Sequence, residues 1–306
     1  MRYFKLITIF LSIILFSLIL GLAADYSLLH AAEPLVIKIR PFREKHIDYT
    51  KEYKYQLLEL ILGETEATEG PFRIDVLKKE MIAQSRVLDL IDRGAITVIA
   101  TMTSNEREKQ LLPIRIPIFK NLFGYRIFII NRKDREKFAK IQTKEELQKL
   151  WAGLGHDWPD LKIMRANGFN VVGSSNYRGL FSMLQEGRFD YFPRAVQEPW
   201  REVEEEKARD LIVEPTLLLY YQAPVYFFVS KQDSKLYQRL ERGFQMALQD
   251  GSFEKLFNTH WYIQNTLKLA KIGQRRIFRL NNPLLPPETP LDRKEFWYVP
   301  ETSPAQ

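Results

Sequence analysis

The sequence predicts an α/β fold, because short apolar strands alternate with amphipathic helices along most of the chain. Three observations carry this prediction. The first hundred residues run strand, helix, strand, helix, strand. The stretch 168–194 (GFNVVGSSNYRGLFSMLQEGRFDYFPR) reads as strand, turn, helix, strand. A strongly apolar strand at 223–230 (APVYFFVS) then leads into a long helix with one apolar stripe.

The first part of the chain has the pattern of a βαβ unit with right-handed crossovers. Its predicted elements are strands at 35–39, 72–76 and 95–100, a helix that Thr50 caps and Gly63 ends, and a helix at 84–93 with Gly94 at its C-cap. The first strand runs out at Arg40-Pro41-Phe42. Because open α/β sheets place ligand contacts at the carboxyl ends of strands, Phe42 is a candidate wall of a binding site.

A polar loop, Thr101 to Arg107 (TMTSNER), follows the third predicted strand. Its single arginine, Arg107, could form a bidentate clamp on a carboxylate. Arg107 could equally be a solvated loop arginine, and loop position alone does not decide between the two.

The next segment, 112–119 (LPIRIPIF), carries prolines at 113 and 117 and therefore predicts an edge strand or an extended crossing segment. A strand is predicted at 125–131 (YRIFIIN), and Thr143 is predicted to cap the helix after it. The stretch 153–160 (GLGHDWPD) is expected to be rich in turns. Its Trp158 either stacks on a ligand or packs in the core, as tryptophan more often does.

The turn at 173–176 (GSSN) leads into a helix that begins at Tyr177. Free backbone N–H groups at a helix N-terminus suit a carboxylate or another anion, and Ser174, Ser175 and Asn176 add polar side chains there. The alternative is that one of these residues only caps the helix. Gly187 is expected at the C-cap, and the strand that follows is expected to stop at Pro193.

The remaining chain predicts a charged helix at 198–207 with a mostly solvated face, apolar strands at 211–213 and 217–221, and the strand at 223–230. A long helix from Ser234 and a short one at 253–257 follow. The tail is extended, with prolines at 283, 286, 287 and 290. Its three consecutive aromatic residues, 296–298 (FWY), predict that it docks on the body of the protein.

Composition excludes several classes of function. The 306 residues, 45% hydrophobic and 27% charged, make one large globular domain or two smaller ones. No cysteine is present, so disulfides, a cysteine nucleophile and thiolate metal sites are excluded. The four histidines lack metal-ligand spacing, and we expect no metal or cofactor. The net charge of +7 is a mild excess of basic residues. These residues form no basic stripe interleaved with aromatic residues, so nucleic acid is not an expected partner.

The N-terminus has the layout of a secretory signal peptide within residues 1–32. Arg2 and Lys5 precede an uncharged, mostly apolar run at 6–24, and small residues at 21–24 and 31–32 offer cleavage points. The run is also nearly long enough to span a bilayer, so an uncleaved anchor is an alternative. Either arrangement predicts that the rest of the chain lies outside the cytoplasm, in the periplasm.

Several motifs occur in a specific order: MTSNEREKQ (102–110), VVGSSNYRGL (171–180), GRFD (187–190) and DGSFEKLF (250–257). Together with the leader, this order resembles the type II periplasmic solute-binding proteins. The family in question is the amino-acid-binding one that also supplies a domain to some lytic transglycosylases. The resemblance covers roughly residues 34–262.

The resemblance implies two α/β lobes, each a mixed sheet flanked by helices, that close on a ligand like a hinge. Lobe 1 would comprise 33–122 plus 226–306, with the proline-rich tail 283–306 packed on it. Lobe 2 would comprise 123–225. The two lobes would be joined by two crossing strands.

The resemblance also implies a set of site residues. Arg107 matches the family arginine that grips the ligand's α-carboxylate, and Ser104 matches a hydroxyl that supports it. Ser174 and Ser175 match a turn in the second lobe whose backbone N–H groups face the carboxylate. Asn176 adds a polar side chain to this turn, and the aromatic rings of Tyr177 and Phe42 are expected to wall the cleft.

One position departs from the family pattern. Where the family places an aspartate that holds the ligand's ammonium group, this chain has Arg194. Two arginines facing one cleft would favour an anionic ligand such as a dicarboxylate. Alternatively, Glu198, one helical turn further on, could take over the ammonium group, and the sequence leaves both possibilities open.

The expected function is that of a periplasmic solute-binding protein. It would be monomeric, without catalytic residues or cofactor, and would deliver a small polar ligand, an amino acid or a carboxylate, to a membrane permease of the ABC type. A membrane-anchored sensor is the alternative. A peptidoglycan-active enzyme is the third possibility. It is disfavoured because only about 40 residues follow the family-like region, which is too few for a catalytic domain.

Overall fold

A computed structural model describes residues 33–40, 48–77 and 84–300. The predicted signal peptide (1–32) and Phe42 lie outside these described residues. Within the described ranges, no helix is both long enough and apolar enough to cross a bilayer.

The strands and helices follow the alternation that the sequence predicts. The strands are β1 (Leu35–Ile39), β2 (Phe72–Val76), β3 (Ile99–Met102), β4 (Leu111–Ile114), β5 (Tyr125–Asn131), β6 (Trp151–Gly155), β7 (Asn170–Ser174), β8 (Tyr191–Ala195), β9 (Leu211–Val213), β10 (Leu217–Tyr220), β11 (Val225–Ser230) and β12 (Arg276–Arg279). The helices are α1 (Tyr53–Gly63), α2 (Glu66–Glu69), α3 (Gln84–Asp92), α4 (Asn105–Gln110), α5 (Arg135–Ala139), α6 (Lys144–Gln148), α7 (Pro159–Ala166), α8 (Tyr177–Gln185), α9 (Pro199–Glu205), α10 (Ser234–Gln249), α11 (Ser252–Thr259) and α12 (Trp261–Ala270).

The strands form three sheets. β1 pairs with β2 in parallel, and β11 lies between β3 and β4 with both pairings antiparallel. The largest sheet has the order β12-β10-β5-β8-β6-β7, with β9 beside β5. We call the part built on β1–β4 and β11 the first lobe and the part built on the largest sheet the second lobe. The predicted α/β class is confirmed.

The chain crosses between the lobes in two segments, 115–124 and 221–224, which we call the crossing segments. They approach each other closely at Gly124, where a Cβ atom would overlap the carbonyl oxygen of Tyr221. Only glycine fits at such an approach. The predicted lobe boundaries stay a prediction. The structure adds that β12, from a stretch assigned to lobe 1, pairs in parallel with β10 of the largest sheet.

Local sequence signals explain many of the observed boundaries. Thr143 caps α6 as predicted, because its hydroxyl accepts from the Glu146 amide while the Glu146 carboxylate accepts from the Thr143 amide. The proline-containing segment supplies β4, which among the described strands pairs with β11 alone and is therefore an edge strand, one of the two predicted alternatives. Gly94 and Gly187 both have positive φ just after a helix, which fits their predicted C-cap role.

Five local predictions were wrong. The polar loop predicted at 101–107 is divided between the end of β3, at Met102, and α4, which begins at Asn105. The stretch 153–160 is not mainly turn, because 151–155 forms β6 and α7 begins at Pro159. The strand at Tyr191 continues through Pro193, which pairs with Phe128 of β5. Thr50 does not cap α1, whose N-cap is Glu52. The strand predicted at 95–100 begins only at Ile99.

Apolar side chains from both lobes form one large buried cluster. The long helix α10 contributes Leu236, Leu240 and Phe244 to it, on the stripe that the sequence predicts. In the tail, Phe296 is 3% exposed and belongs to the same cluster. The tail is therefore held by the body of the protein.

Candidate functional site

A cavity of about 290 Å³ lies between the two lobes. Its size is at the lower end of the range for small-molecule sites. The first lobe contributes side chains from α1, β3, α4 and β11, and the second contributes side chains from β5, α7, β8 and the start of α9. The charged residues that line it are Lys54, Arg107, Arg126, Asp160, Arg194 and Glu198.

Arg107 is the main charged group on the wall that the first lobe provides. It lies in α4, directly after β3, where Ser104 caps the helix by accepting from the Arg107 amide at 3.2 Å. The Arg107 guanidinium donates from Nη1 to the carbonyl oxygen of Met102 at 2.5 Å. Burial lowers the Arg107 pKa to about 10, although nearby carboxylates, Asp160 foremost, favour the charged form.

On the wall that the second lobe provides, Arg194 is a charged group that lines the cavity. It lies in β8, and its side chain is 7% exposed. Its Nε donates to Glu202 Oε2 at 2.8 Å and its Nη2 donates to Glu202 Oε1 at 2.7 Å, a bidentate ion pair. Its Nη2 also lies 3.1 Å from Glu198 Oε1. Burial opposes the charge, but Glu198 and Glu202 outweigh it and hold the Arg194 pKa well above its ordinary value.

Aromatic rings complete the surroundings of Arg194. Its guanidinium carbon lies 4.9 Å from the ring centre of Trp158 and 4.9 Å from that of Phe192. These two rings are stacked on each other. The Tyr177 hydroxyl donates to Glu202 Oε1 at 2.7 Å, so the carboxylate that neutralises Arg194 is itself fixed.

A second internal ion pair joins Arg126 of β5 to Asp160 of α7, with 2.6 Å between Nη2 and Oδ1. Asp160 also accepts a hydrogen bond from the hydroxyl of Tyr221. It lies in the first turn of α7, where the helix dipole favours a negative charge. Burial opposes the Arg126 charge, but Asp160, Tyr221 and Glu198 together outweigh it and raise the Arg126 pKa.

Glu198 connects the two ion pairs. Its Oε2 accepts from the Ala195 amide at 2.9 Å and lies 4.0 Å from Arg126 Nη1, while its Oε1 faces Arg194. The Glu198 side chain is 23% exposed. Burial raises the Glu198 pKa, and the neighbouring carboxylate of Glu202 adds to this, although Arg194 opposes it.

The structure brings together three of the predicted site residues. Arg107, Arg194 and Glu198 line the same cavity. Phe42 lies outside the described residues. The charged helix was expected to be mostly solvated, yet its Glu202 is 5% exposed and holds Arg194, which corrects that expectation.

Among the predicted site residues that the structure describes, Ser104, Ser174, Ser175, Asn176 and Tyr177 do not line the cavity. The caps are Ser104 for α4 and Asn176 for α8, where Asn176 Oδ1 accepts from the Gly179 amide at 3.0 Å. Ser174 Oγ accepts from the Asn176 amide, and Ser175 is exposed. Asn176 therefore caps α8, and contact between the turn and a ligand stays a prediction.

Sequence reasoning missed Lys54, Arg126 and Asp160, and left Trp158 undecided. The signal for Arg126 was an arginine inside an otherwise apolar strand, since such a charge needs a buried partner. The signal for Asp160 was the Trp158-Pro159-Asp160 string, because proline at the first helical position marks a helix start. Trp158 packs on Phe192, as the core interpretation predicts, and it also lines the cavity. Stacking of Trp158 on a ligand stays a prediction.

No known family model matches this sequence, and no curated protein matches it either. Solved structures do match. An ancestral arginine-binding protein bound to arginine superposes with a TM-score of 0.53 and 16% identity, covering 76% of this chain and 100% of its own. The chain has the fold of the type II periplasmic binding proteins.

Two further solved structures share this fold. The substrate-binding protein of an amino-acid ABC transporter has a TM-score of 0.51 and 12% identity, and covers 74% of this chain and 99% of its own. A histidine kinase sensor domain with similarity to periplasmic binding proteins has a TM-score of 0.50 and 15% identity, and covers 76% of this chain and 97% of its own. The predicted resemblance is thereby confirmed for the fold. About a quarter of this chain has no counterpart in these relatives.

Proposed function

We propose that this chain is an extracytoplasmic solute-binding protein that captures a small polar or anionic ligand between its lobes and presents it to an ABC-type permease. The observation that carries the proposal is the cavity itself, which both lobes of a periplasmic-binding-protein fold enclose and charged side chains line. Two-lobed proteins with a cavity between the lobes bind ligands by closing the lobes around them.

The charges of the lining favour a ligand with at least one carboxylate. Four basic side chains line the cavity against two acidic ones. Arg194 contributes little of this excess, because Glu202 already neutralises it through two hydrogen bonds. The carboxylate is therefore assigned to Arg107, as the resemblance implies, and the ammonium group of an amino acid would be assigned to Glu198 or Asp160.

The test is a thermal-shift screen of residues 33–306 against amino acids, dicarboxylates and small sugars. A ligand that binds only the native state raises the melting temperature by an amount set by its concentration over its dissociation constant. We expect a shift with a carboxylate-bearing ligand, and we expect Arg107→Met to abolish it. The matched control is Arg188→Met, an exposed arginine outside the cavity, which should keep the shift. Absence of a shift with every compound would contradict the proposal.

Two outcomes of the screen separate the ligand classes that the sequence left open. A shift with zwitterionic amino acids that Glu198→Gln abolishes would assign the ammonium group to Glu198. A shift with dicarboxylates only would assign the cavity to anions, with Lys54 as a further cation in its lining.

A second candidate function is that of a membrane-anchored extracytoplasmic sensor. The apolar run at 6–24 and the similarity to a histidine kinase sensor domain favour it. The N-terminal sequence of the mature protein distinguishes the two. A chain that begins just after residue 24 or 32 has lost its anchor, whereas a chain that keeps its leader remains attached. In either case we propose a binding protein rather than an enzyme, and cleavage of peptidoglycan by the pure protein would overturn that.

A further inference from the structure

The chain passes between the two lobes a third time, after both crossing segments. After β11 and the helices α10 to α12, it returns to the largest sheet as β12, whose residues pair with β10 from Leu217↔Arg276 to Tyr220↔Arg279. Beyond β12, residues 280–298 run back across the molecule. We call this stretch the C-terminal strap.

The strap contacts α4 and α7, two of the helices that bring charged groups to the cavity. Asn167 directly follows α7, and its side chain donates to the Asn281 carbonyl at 2.7 Å and accepts from the Asn281 amide at 3.0 Å. Three residues later, the Leu284 carbonyl accepts at 3.0 Å from the amide of Asn105, the first residue of α4. The strap therefore ties the end of α7 in the second lobe to the start of α4 in the first.

The strap also contacts both crossing segments. The Asn282 side chain donates to the Gln222 carbonyl at 2.6 Å. Near the end of the strap, the Tyr298 amide donates to the Lys120 carbonyl at 2.7 Å, and the Tyr125 hydroxyl donates to the Tyr298 carbonyl at 3.0 Å. The segments that must bend when a two-lobed protein opens are thus bonded to a third piece of chain.

We propose that the C-terminal strap restricts the opening of the cavity. Three residues of fully extended chain span about 10 Å at most, so Asn281 and Leu284 cannot move farther apart than that. While both keep their partners, the start of α4 and the end of α7 stay within a similar reach of each other. Wide opening therefore requires release of one of these contacts, and the protein works with a smaller lobe motion than two crossing segments alone would allow.

This restriction goes beyond the proposed function, because it concerns the lobes whatever the ligand is. An exposed ion pair joins the same two helices directly, with 3.2 Å between Lys162 Nζ and Glu106 Oε2. Such a pair contributes little on its own. The strap is the structure that can hold the helices, because its contacts on both sides belong to one short stretch of backbone.

The test measures the distance between the lobes directly. The chain has no cysteine, so Lys109→Cys on α4 and Lys162→Cys on α7 allow two spin labels to be placed, and pulsed electron resonance gives their distance distribution. Both positions are exposed. In the labelled protein with an intact strap we expect one narrow distribution. Adding Asn167→Ala and Asn282→Ala removes side-chain bonds on both sides of the strap and should add a population at longer distance.

The control is Glu288→Ala, an exposed position in the strap itself, which should leave the narrow distribution unchanged. Loss of the Lys162 ion pair is common to all samples and cancels in the comparison. An identical narrow distribution in the double variant would overturn the proposal. If the double variant proves unfolded in a melting curve, the same comparison with Asn167→Ala alone decides, because this variant releases the bonds between α7 and the strap, and the two outcomes are the same.

Discussion

A buried arginine lies on each wall of the cavity, and the surroundings shift its pKa in opposite directions on the two walls. Arg107 on the first lobe and Arg194 on the second are each 6% exposed. Arg107 donates to a backbone carbonyl, and burial lowers its pKa to about 10. Arg194 is held by two carboxylates, and its pKa is raised well above its ordinary value. The chemical group is the same, so the partners make the difference.

This contrast separates a structural charge from one suited to binding. A guanidinium that its own protein neutralises has little to gain from a ligand, because the ligand must displace the internal carboxylate first. A guanidinium whose charged form is disfavoured by burial gains most when a carboxylate arrives. We therefore expect the second-lobe pairs to stabilise the fold and the first-lobe arginine to determine affinity.

The largest effect should come from breaking the structural pair. Arg194→Met removes the cation that Glu202 and Glu198 face and leaves a buried, uncompensated carboxylate. Breaking one side of a buried ion pair costs about 3–5 kcal/mol of unfolding free energy. Denaturant unfolding of the wild type and the variant measures this, and we expect a clear fall in the midpoint.

Two companion variants decide whether the loss comes from the pair. Arg188→Met removes an exposed arginine whose ion pair with Glu186 is solvated, and it should cost well under about 1 kcal/mol. The double variant with Glu202→Leu should recover much of the loss, since apolar replacements of a whole buried pair are often neutral. If Arg194→Met is as harmless as Arg188→Met, the contrast between the two walls is wrong.

The opposite result is expected at Arg107. Burial lowers the Arg107 pKa to about 10, so keeping the charge buried costs about 3 kcal/mol at neutral pH. Arg107→Met removes this cost and also the contacts of the guanidinium, among them the hydrogen bond to the Met102 carbonyl, which contributes about 1 kcal/mol. The unfolding free energy should therefore stay near the wild-type value or rise, while the ligand-induced shift in melting temperature disappears.

Burial destabilises the charged form of Arg107, and this cost disappears once the folded protein loses the proton. The wild type should therefore approach the stability of Arg107→Met only as the pH rises above about 10. Unfolding curves of both proteins from neutral pH upward measure this. A loss of several kcal/mol in Arg107→Met at neutral pH would contradict the interpretation and place Arg107 among the structural charges.

The sequence predicted features that depend on neighbouring residues better than features that depend on distant ones. Local signals determined much of the fold: the capping box at Thr143, the prolines of the edge strand β4 and the strand YRIFIIN (125–131) were all read correctly. These features depend on neighbours within a few residues. The strand β6 was missed because three of its five residues are glycine or alanine and its partners, β7 and β8, lie far along the chain.

The candidate site divides in the same way. The order of motifs named Arg107, Arg194 and Glu198 as candidate site residues, but only the structure shows that they line one cavity. Their pairing also could not be predicted, because it depends on which carboxylates the fold brings within 4 Å. Glu202 reads as one residue in a solvated acidic run, and only the packing of α9 on the largest sheet shows that it faces Arg194.

The smallest expected effect concerns Glu198. This carboxylate pairs with the structural arginine Arg194, and it is also a candidate to bind the ammonium group of a ligand. Burial, with Glu202 beside it, raises its folded-state pKa above the ordinary 4.5. Between these two pKa values the folded protein binds more protons than the unfolded chain, so the unfolding free energy falls as the pH rises through that window. Glu198→Gln cannot titrate and lacks this fall. The stability of the variant minus that of the wild type should therefore increase from pH 4.5 upward, by less than the effects at Arg194.

Unfolding curves at several pH values measure the difference, with Glu186→Gln, an exposed carboxylate, expected to run parallel to the wild type. A difference that decreases with pH would mean that Arg194 outweighs burial at Glu198. This carboxylate would then be a fixed structural partner of Arg194, and the ammonium group of a ligand would be left to Asp160.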